Sequence, residues 1–167
     1  MTYKMKLNTK LLYRYIIEID MLERITSRKA LHQCIIDTGS ANTFVPYGFA
    51  KQWFKPTKRE KEVSVAGCTY LATVFQAKSI FNLGGLKIRN LQVLSSEKFT
   101  GTLKNYILIG ANILNNLKFT LDKEEGIFEF EEKIASYRKD CIQPYRYYFG
   151  ENGEVLVEDI EEEMFFS

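Results

Sequence analysis

One histidine, three cysteines and three prolines are all that the 167 residues hold of these types, and each scarcity removes a class of chemistry. A single imidazole, His32, excludes sites built on several histidines. Cys34, Cys68 and Cys141 are odd in number and fall in no Cys-x-x-Cys or Cys/His spacing, so neither a disulfide framework nor a zinc site is indicated. All three read as reduced thiols. Nothing near His32 recommends a nucleophile–histidine pair, and the ring is expected on a strand face. No apolar run approaches the roughly 18 residues of a membrane span, and the segment Met1 to Lys10 carries lysines without an apolar stretch behind them. The expectation is a soluble, cytoplasmic protein with no membrane partner.

The formal charge of +2 conceals a split. Seven of the 21 acidic residues lie in residues 151–167, which contain no base, so the first 150 residues hold all 23 basic residues against 14 acidic ones. Lys and Arg are scattered through that body and form no stripe with interleaved aromatics beyond Lys55 to Lys61, which argues against nucleic acid as a partner. The run Glu158-Asp159-Ile160-Glu161-Glu162-Glu163 reads as a solvated end.

What is present in quantity is short alternating or β-branched runs between turn residues, the pattern of an all-β sandwich or barrel. Leu11 to Ile19 and Leu31 to Ile36 are expected to pair across the polar turn at Ser27-Arg28-Lys29. Asn42 to Val45 is extended, Pro46 opens a short helix to about Phe54, and Pro56 is expected to stop it. Trp53 and Phe54 are read as core contacts of that helix. Glu62 to Ala66 and Tyr70 to Phe81 make a hairpin around Gly67-Cys68-Thr69. After the turn Asn82-Leu83-Gly84-Gly85, Leu86 to Leu94 alternates as a half-buried strand, and Ser95 to Lys104 is a loop. Tyr106 to Ile109 is a buried strand ending at Gly110, and Asn112 to Leu117 has helical spacing. Phe119 to Leu121 and Ile127 to Phe130 form a second hairpin. Residues 1–132 are expected to be one domain and 133–167 an extension, with a third hairpin pairing Tyr145 to Phe149 with Val155 to Val157.

Within this pattern Ile35-Ile36-Asp37-Thr38-Gly39-Ser40 places an aspartate directly after a buried strand and before a glycine turn. Taken alone, Asp-Thr-Gly is an ordinary strand-ending turn, because Asp bonds its own backbone and Gly tolerates positive φ. The same geometry also holds a carboxylate out of the core, which suits a catalytic acid. Seventy residues downstream comes Ile107-Leu108-Ile109-Gly110-Ala111-Asn112-Ile113-Leu114.

This pairing resembles the retropepsin-like aspartic peptidases, in which an apolar-apolar-Asp-Thr-Gly strand is crossed by a later apolar-apolar-Gly strand leading into a short helix. A glycine-bearing hairpin between the two is that family's flap. The likeness covers about residues 12–131. It implies an acid-protease barrel with one or two short helices, whose cleft is closed by a symmetric dimer. It makes Asp37 catalytic, assigns Thr38 to an interlock between two active-site loops and Gly39 to the turn whose carbonyl binds substrate backbone. Ser40 and the flap residues Ala66, Gly67 and Cys68 are implied for substrate binding, and Ile109 and Gly110, grouped with them, are the strand packed behind the active-site loop, with Asn112 opening the helix. Many viral members carry an Asp–Arg pair where this chain has Ala41 and Ala111, and both partners are absent together.

Hydrolysis by that route needs two carboxyls sharing one proton and no metal or organic cofactor. The chain has one Asp-Thr-Gly and no internal repeat. Asp20 is followed by Met21-Leu22, which cannot make the glycine turn, and Asp122 sits in a hairpin turn beside Lys123. The second carboxyl is therefore expected from a second copy, as a homodimer acting on a protein or peptide. The competing reading is a catalytically silent dimeric peptide-binding module using the same cleft. Ser40 carries one further expectation, that its hydroxyl donates to the Asp37 carboxylate.

Overall fold

The computed structural model of the chain describes residues 2–8, 14–22, 29–65 and 67–132, with backbone alone at 29–30, 145–149 and 155–159. Thirteen strands and three short helices are found among them. They run β1 (Thr2–Lys6), β2 (Tyr15–Leu22), β3 (Lys29–Ile36), α1 (Tyr47–Trp53), β4 (Phe54–Val65), β5 (Cys68–Ala77), β6 (Ile80–Leu83), β7 (Leu86–Ile88), β8 (Gln92–Ser95), α2 (Thr102–Asn105), β9 (Ile107–Ile109), α3 (Ala111–Leu114), β10 (Leu117–Asp122), β11 (Ile127–Glu132), β12 (Tyr145–Phe149) and β13 (Val155–Asp159). The fold is all-β, as the short alternating runs require. None of the described helices is long and apolar enough to cross a membrane.

The strands make three sheets, ordered β1-β11-β10, β12-β13-β7-β6-β2-β3-β9 and β4-β5-β8. The second is built on the expected antiparallel pair of β2 and β3, from Tyr15↔Ile36 to Leu22↔Lys29. On the other side of β3 lies β9, parallel to it, with Ile36 opposite Ile109. Residues in a strand point alternately to the two faces, so neighbours on β3 enter different cores. Ile36 joins the larger cluster with Ile17, Phe81, Ile109 and Phe128. Ile35 joins a smaller one with Ile16, Phe44, Val63, Leu103 and Leu108. That smaller cluster lies between β3 and the β4–β5 hairpin and is the one that borders the site.

Several boundaries differ from those read off the sequence, each for a local reason. Pro56 does not end α1; the helix stops at Trp53 and the chain enters β4 at once. Pro56 is tolerated there because β4 is an edge strand and its register shifts between Pro56 and Glu60, and a proline costs a ladder hydrogen bond only in a paired interior. The run Tyr70 to Phe81 is two strands, β5 and β6, in different sheets, broken at Lys78-Ser79. Leu86 to Leu94 is likewise split into β7 and β8 around Asn90, whose φ of 55° turns the chain from one sheet to another. Leu117 opens β10 instead of closing a helix, although Ile113, Leu114 and Leu117 are all buried as the spacing demanded. Part of Ser95 to Lys104 is the one-turn helix α2. Unforeseen was β1, which pairs with β11 from Thr2↔Glu131 to Lys6↔Ile127.

The pairs β4–β5, β10–β11 and β12–β13 are antiparallel hairpins, as read. Through Val155↔Ile88, β13 adds to the edge of the large sheet in parallel. The start of the first expected strand, residues 11–13, and the turn at 150–154 lie outside the described residues.

Candidate active site

The strand β3 delivers Asp37 by running out of partners. Its last ladder contact is carried one residue further by the Asp37 N–H, which donates to the Ile109 carbonyl at 2.9 Å. Past that point the chain turns: the Gly39 N–H donates to Asp37 Oδ1 at 3.0 Å and the Ser40 N–H to the Asp37 carbonyl at 3.3 Å. A short carboxylate that bonds the backbone two residues on is the usual reason an Asp stands at such a turn. One oxygen is used this way, and the carboxylate's remaining acceptor sites are left to the adjoining cavity.

From Ser40 to Val45 the loop is tied to its neighbours by backbone bonds. The Ala111 N–H donates to the Ser40 carbonyl at 2.7 Å, and Phe44 and Leu108 exchange both of their backbone bonds at 2.9 and 2.8 Å. Leu94 N–H reaches the Thr43 carbonyl at 2.9 Å, and Val45 N–H reaches Leu94 at 3.1 Å. Thr43 is fully buried. Its hydroxyl donates to Asn112 Oδ1 at 2.5 Å and accepts from the Gly110 N–H at 3.2 Å. Asn112 in turn donates to the Gln92 carbonyl at 3.3 Å and accepts from Asn116 at 3.1 Å. A neutral network thus joins the loop to α3, and every one of its buried polar groups has a partner, which is the condition for such a network to stabilise a core.

Gly110 is where the two expected motifs meet. A β-carbon there would lie 2.0 Å from the Asn42 carbonyl oxygen and 2.9 Å from that of Ser40. Its φ of −108° is ordinary, so the glycine is demanded by closeness of backbones and not by conformation. Ile109 and Gly110 are both buried. They pack behind the Asp37 loop, where the resemblance puts them, and neither is among the walls of the cavity beside Asp37.

The other expected residues fall as follows. Thr38 and Gly39 stand exposed at the apex of the loop. Ser40 is half-buried, and its hydroxyl donates to the Asn42 carbonyl at 2.8 Å, not to Asp37. The hydroxyl has one proton to give, so the expected bond to the carboxylate is replaced by one internal to the loop. Gly67 and Cys68 are exposed at the tip of the β4–β5 hairpin, Gly67 with φ of 80°. Ala66 lies outside the described residues. Cys68 pairs with Val65 across the hairpin, and of the two Val65 walls the cavity beside Asp37.

A cavity of about 330 Å³ opens beside Asp37, walled by Tyr15, Ile35, Leu108, Val65 from the hairpin, and Thr102 and Leu103 from α2, with Arg14 at its margin. It is the mouth of the smaller core cluster, to which Ile35, Leu103 and Leu108 belong. Four of these contributors were missed in the sequence. Thr102 and Leu103 sit in the stretch taken as loop, and Arg14 and Tyr15 in the expected strand Leu11 to Ile19, where neither was given a part in the site; β2 itself starts at Tyr15. Thr43 was passed over as one residue of an extended piece. Only tertiary contact gives any of them a role.

Outside the cavity, His32 is half-buried on β3 and edge-on to Phe49, with ring centroids 4.8 Å apart. Burial pushes the Cys34 thiol well above its ordinary range, so it packs as a small apolar side chain. Trp53 and Phe54 are core residues, as read. Asp20 is paired within the sheet, opposite Leu31 and Asn82, and Asp122 closes an exposed turn by accepting from the Glu125 N–H at 3.0 Å. Among the described residues, no group of three or more His, Cys, Asp and Glu side chains could hold a metal ion.

Neither a protein-family model nor a curated protein sequence matches the chain. Its fold does have a solved counterpart, a retropepsin-like aspartic protease from Rickettsia conorii, at a TM-score of 0.52 and 13% sequence identity. The superposition covers 78% of this chain and 90% of that one. At this identity the likeness is one of fold, and the fold is retropepsin-like.

Proposed function

We propose that the chain is an aspartic endopeptidase in which the Asp37 carboxyls of two copies activate a water against a peptide bond. The observation that carries the reading is the placement of Asp37. It follows directly on β3, a strand paired on both sides, is held by the Ile109 carbonyl and the Gly39 N–H, and borders a cavity that Val65 of the β4–β5 hairpin helps to wall, a hairpin with glycine at its exposed tip.

A single carboxylate cannot do this chemistry. One carboxyl takes a proton from water while another gives one to the scissile carbonyl, and two that touch share one proton because both cannot ionise. The other aspartates whose side chains are described have different settings, Asp20 in a strand and Asp122 in an outer turn. The second carboxyl is therefore assigned to a second copy, with both Asp37 residues on a twofold axis. In that assembly the exposed Thr38 is free to interlock with its counterpart, and Gly39 to offer its carbonyl to substrate. The β4–β5 hairpin would close over an extended peptide, excluding water and presenting Gly67 and Cys68. Residues 1–132 are proposed as the catalytic unit.

The test is cleavage of a peptide library by wild type and by Asp37→Asn in parallel. The amide is nearly isosteric and cannot act as acid or base, a loss worth about 10²–10⁴-fold or more. The expected result is cleavage by wild type alone, with both proteins folded and alike in size. Peptides bound but left intact by wild type would instead identify a silent binding module.

A further inference from the structure

Two charged side chains border the cavity beside Asp37, and the second, Arg14, has no part in the proposed chemistry. Arg14 is exposed, and its Nη1 donates to the Thr102 hydroxyl at 3.2 Å. That bond draws the guanidinium across the cavity mouth toward α2. A guanidinium carries five N–H donors, and among the described residues the Thr102 hydroxyl is its one recorded partner. Among the described residues no carboxylate forms an ion pair with it. The rest of the cavity is apolar, with Ile35, Val65, Leu103 and Leu108 as its main walls. Apolar walls lower the local dielectric, and a covering substrate lowers it further, which strengthens any charge–charge contact made there.

Building on the proposed endopeptidase reading, we propose that Arg14 is a specificity-determining residue that selects peptides bringing a carboxylate to the mouth of this cavity. The substrate class is an apolar side chain seated on Leu103 and Leu108, accompanied by an acidic residue. In an extended peptide, residues two apart lie on the same face. The acid is thus either the residue entering the cavity, its methylenes on the apolar walls, or the residue two positions along. Arginine suits the role because its planar fork grips a carboxylate through two parallel bonds. Holding by Thr102 presets the fork, so less ordering is needed when substrate arrives.

The experiment compares Glu and Gln at each position of a cleavable peptide, using the full-length chain. At pH 6 a peptide Glu is ionised, whereas at pH 3 it is protonated, since its ordinary pKa is about 4.3. At one position, wild type is expected to cleave the Glu peptide about fivefold better at pH 6, the ratio that an ion pair of roughly 1 kcal/mol gives. The preference should vanish at pH 3. It should be lost in Arg14→Gln and reduced but still present in Arg14→Lys, which keeps the charge without the fork; a merely structural role for the side chain would not produce that order. Wild type that cleaves Glu and Gln peptides alike at every position overturns the proposal, and so does a preference that survives in Arg14→Gln. If Arg14→Gln does not fold, the pH dependence of the wild-type ratio decides by itself. Absence of cleavage of any peptide by wild type refutes the peptidase reading and this inference with it. Cleavage without charge preference refutes this inference alone.

Discussion

The loop carrying Asp37 and the hairpin above it are built on opposite principles. Between Asp37 and Val45 the chain is tied to β8, β9 and α3 by backbone bonds and a buried Thr43–Asn112 contact. The end of the β4–β5 hairpin is held by its own ladder and by Ser64 facing Thr69 at 3.4 Å. Its residues 67–69 are exposed. A catalytic carboxylate must keep its position to within a fraction of an ångström, because misplacement forfeits most of what proximity contributes. A cover must move aside to admit substrate and release product. On the proposed reading the contrast matches a fixed reactive group under a movable cover, and it can be tested by loosening the loop and stiffening the hairpin.

The largest effect is expected from Gly110→Ala. The added methyl meets a backbone carbonyl, which has no rotamer to escape into, and overpacking of this kind costs about 3 kcal/mol. Chemical denaturation should show the unfolding free energy falling by that amount, with hydrolysis lost as the loop shifts. Next comes Thr43→Val, which leaves the Gly110 N–H and Asn112 Oδ1 buried without their shared partner. Such orphaned groups cost about 1–3 kcal/mol, and kcat should fall more than KM rises, since the loop loses alignment and the cavity walls are untouched.

Gly67→Ala works on the other region. At φ of 80° an alanine is strained by about 1 kcal/mol, and the strain falls on an exposed tip. Stability should change by no more than that, while kcat/KM drops severalfold as the hairpin closes less well; stopped-flow closure kinetics with a tip fluorophore would follow it. The smallest effect belongs to Ser40→Ala. Its hydroxyl serves the Asn42 carbonyl, so the expected loss is about 1 kcal/mol or less, and the acidic limb of the pH–rate profile should stay where it is. A limb that moves would mean that the hydroxyl reaches Asp37 during turnover.

The two regions were also unequally legible in the sequence. Both motif strands, the turn at Gly39 and the tip at Gly67 are local: apolar alternation and turn residues mark them without knowledge of the rest of the chain. Gly110 was recognisable by its motif, but its reason, the Asn42 carbonyl across the loop, is tertiary. The sheet changes at Lys78-Ser79 and around Asn90 were invisible because the apolar pattern runs through them without a proline or glycine. β1 was not foreseen, because its lysines were weighed only against a leader or membrane segment. Ser40 was misassigned because both acceptors, the Asp37 carboxylate and the Asn42 carbonyl, lie within a few residues of it. The cavity was the least legible part, since Arg14, Val65 and Leu103 come together only in the fold.

The central claim is that one Asp37 is half of a catalytic pair, and subunit mixing tests it most directly. Wild type and Asp37→Asn are combined in equal amounts, allowed to exchange, and assayed at constant total protein. If each site needs an Asp37 from both copies, random pairing leaves about one quarter of the assemblies competent, and the mixture should show about a quarter of the wild-type rate. A mixture retaining about half of that rate would mean that each chain works alone, and would contradict the account.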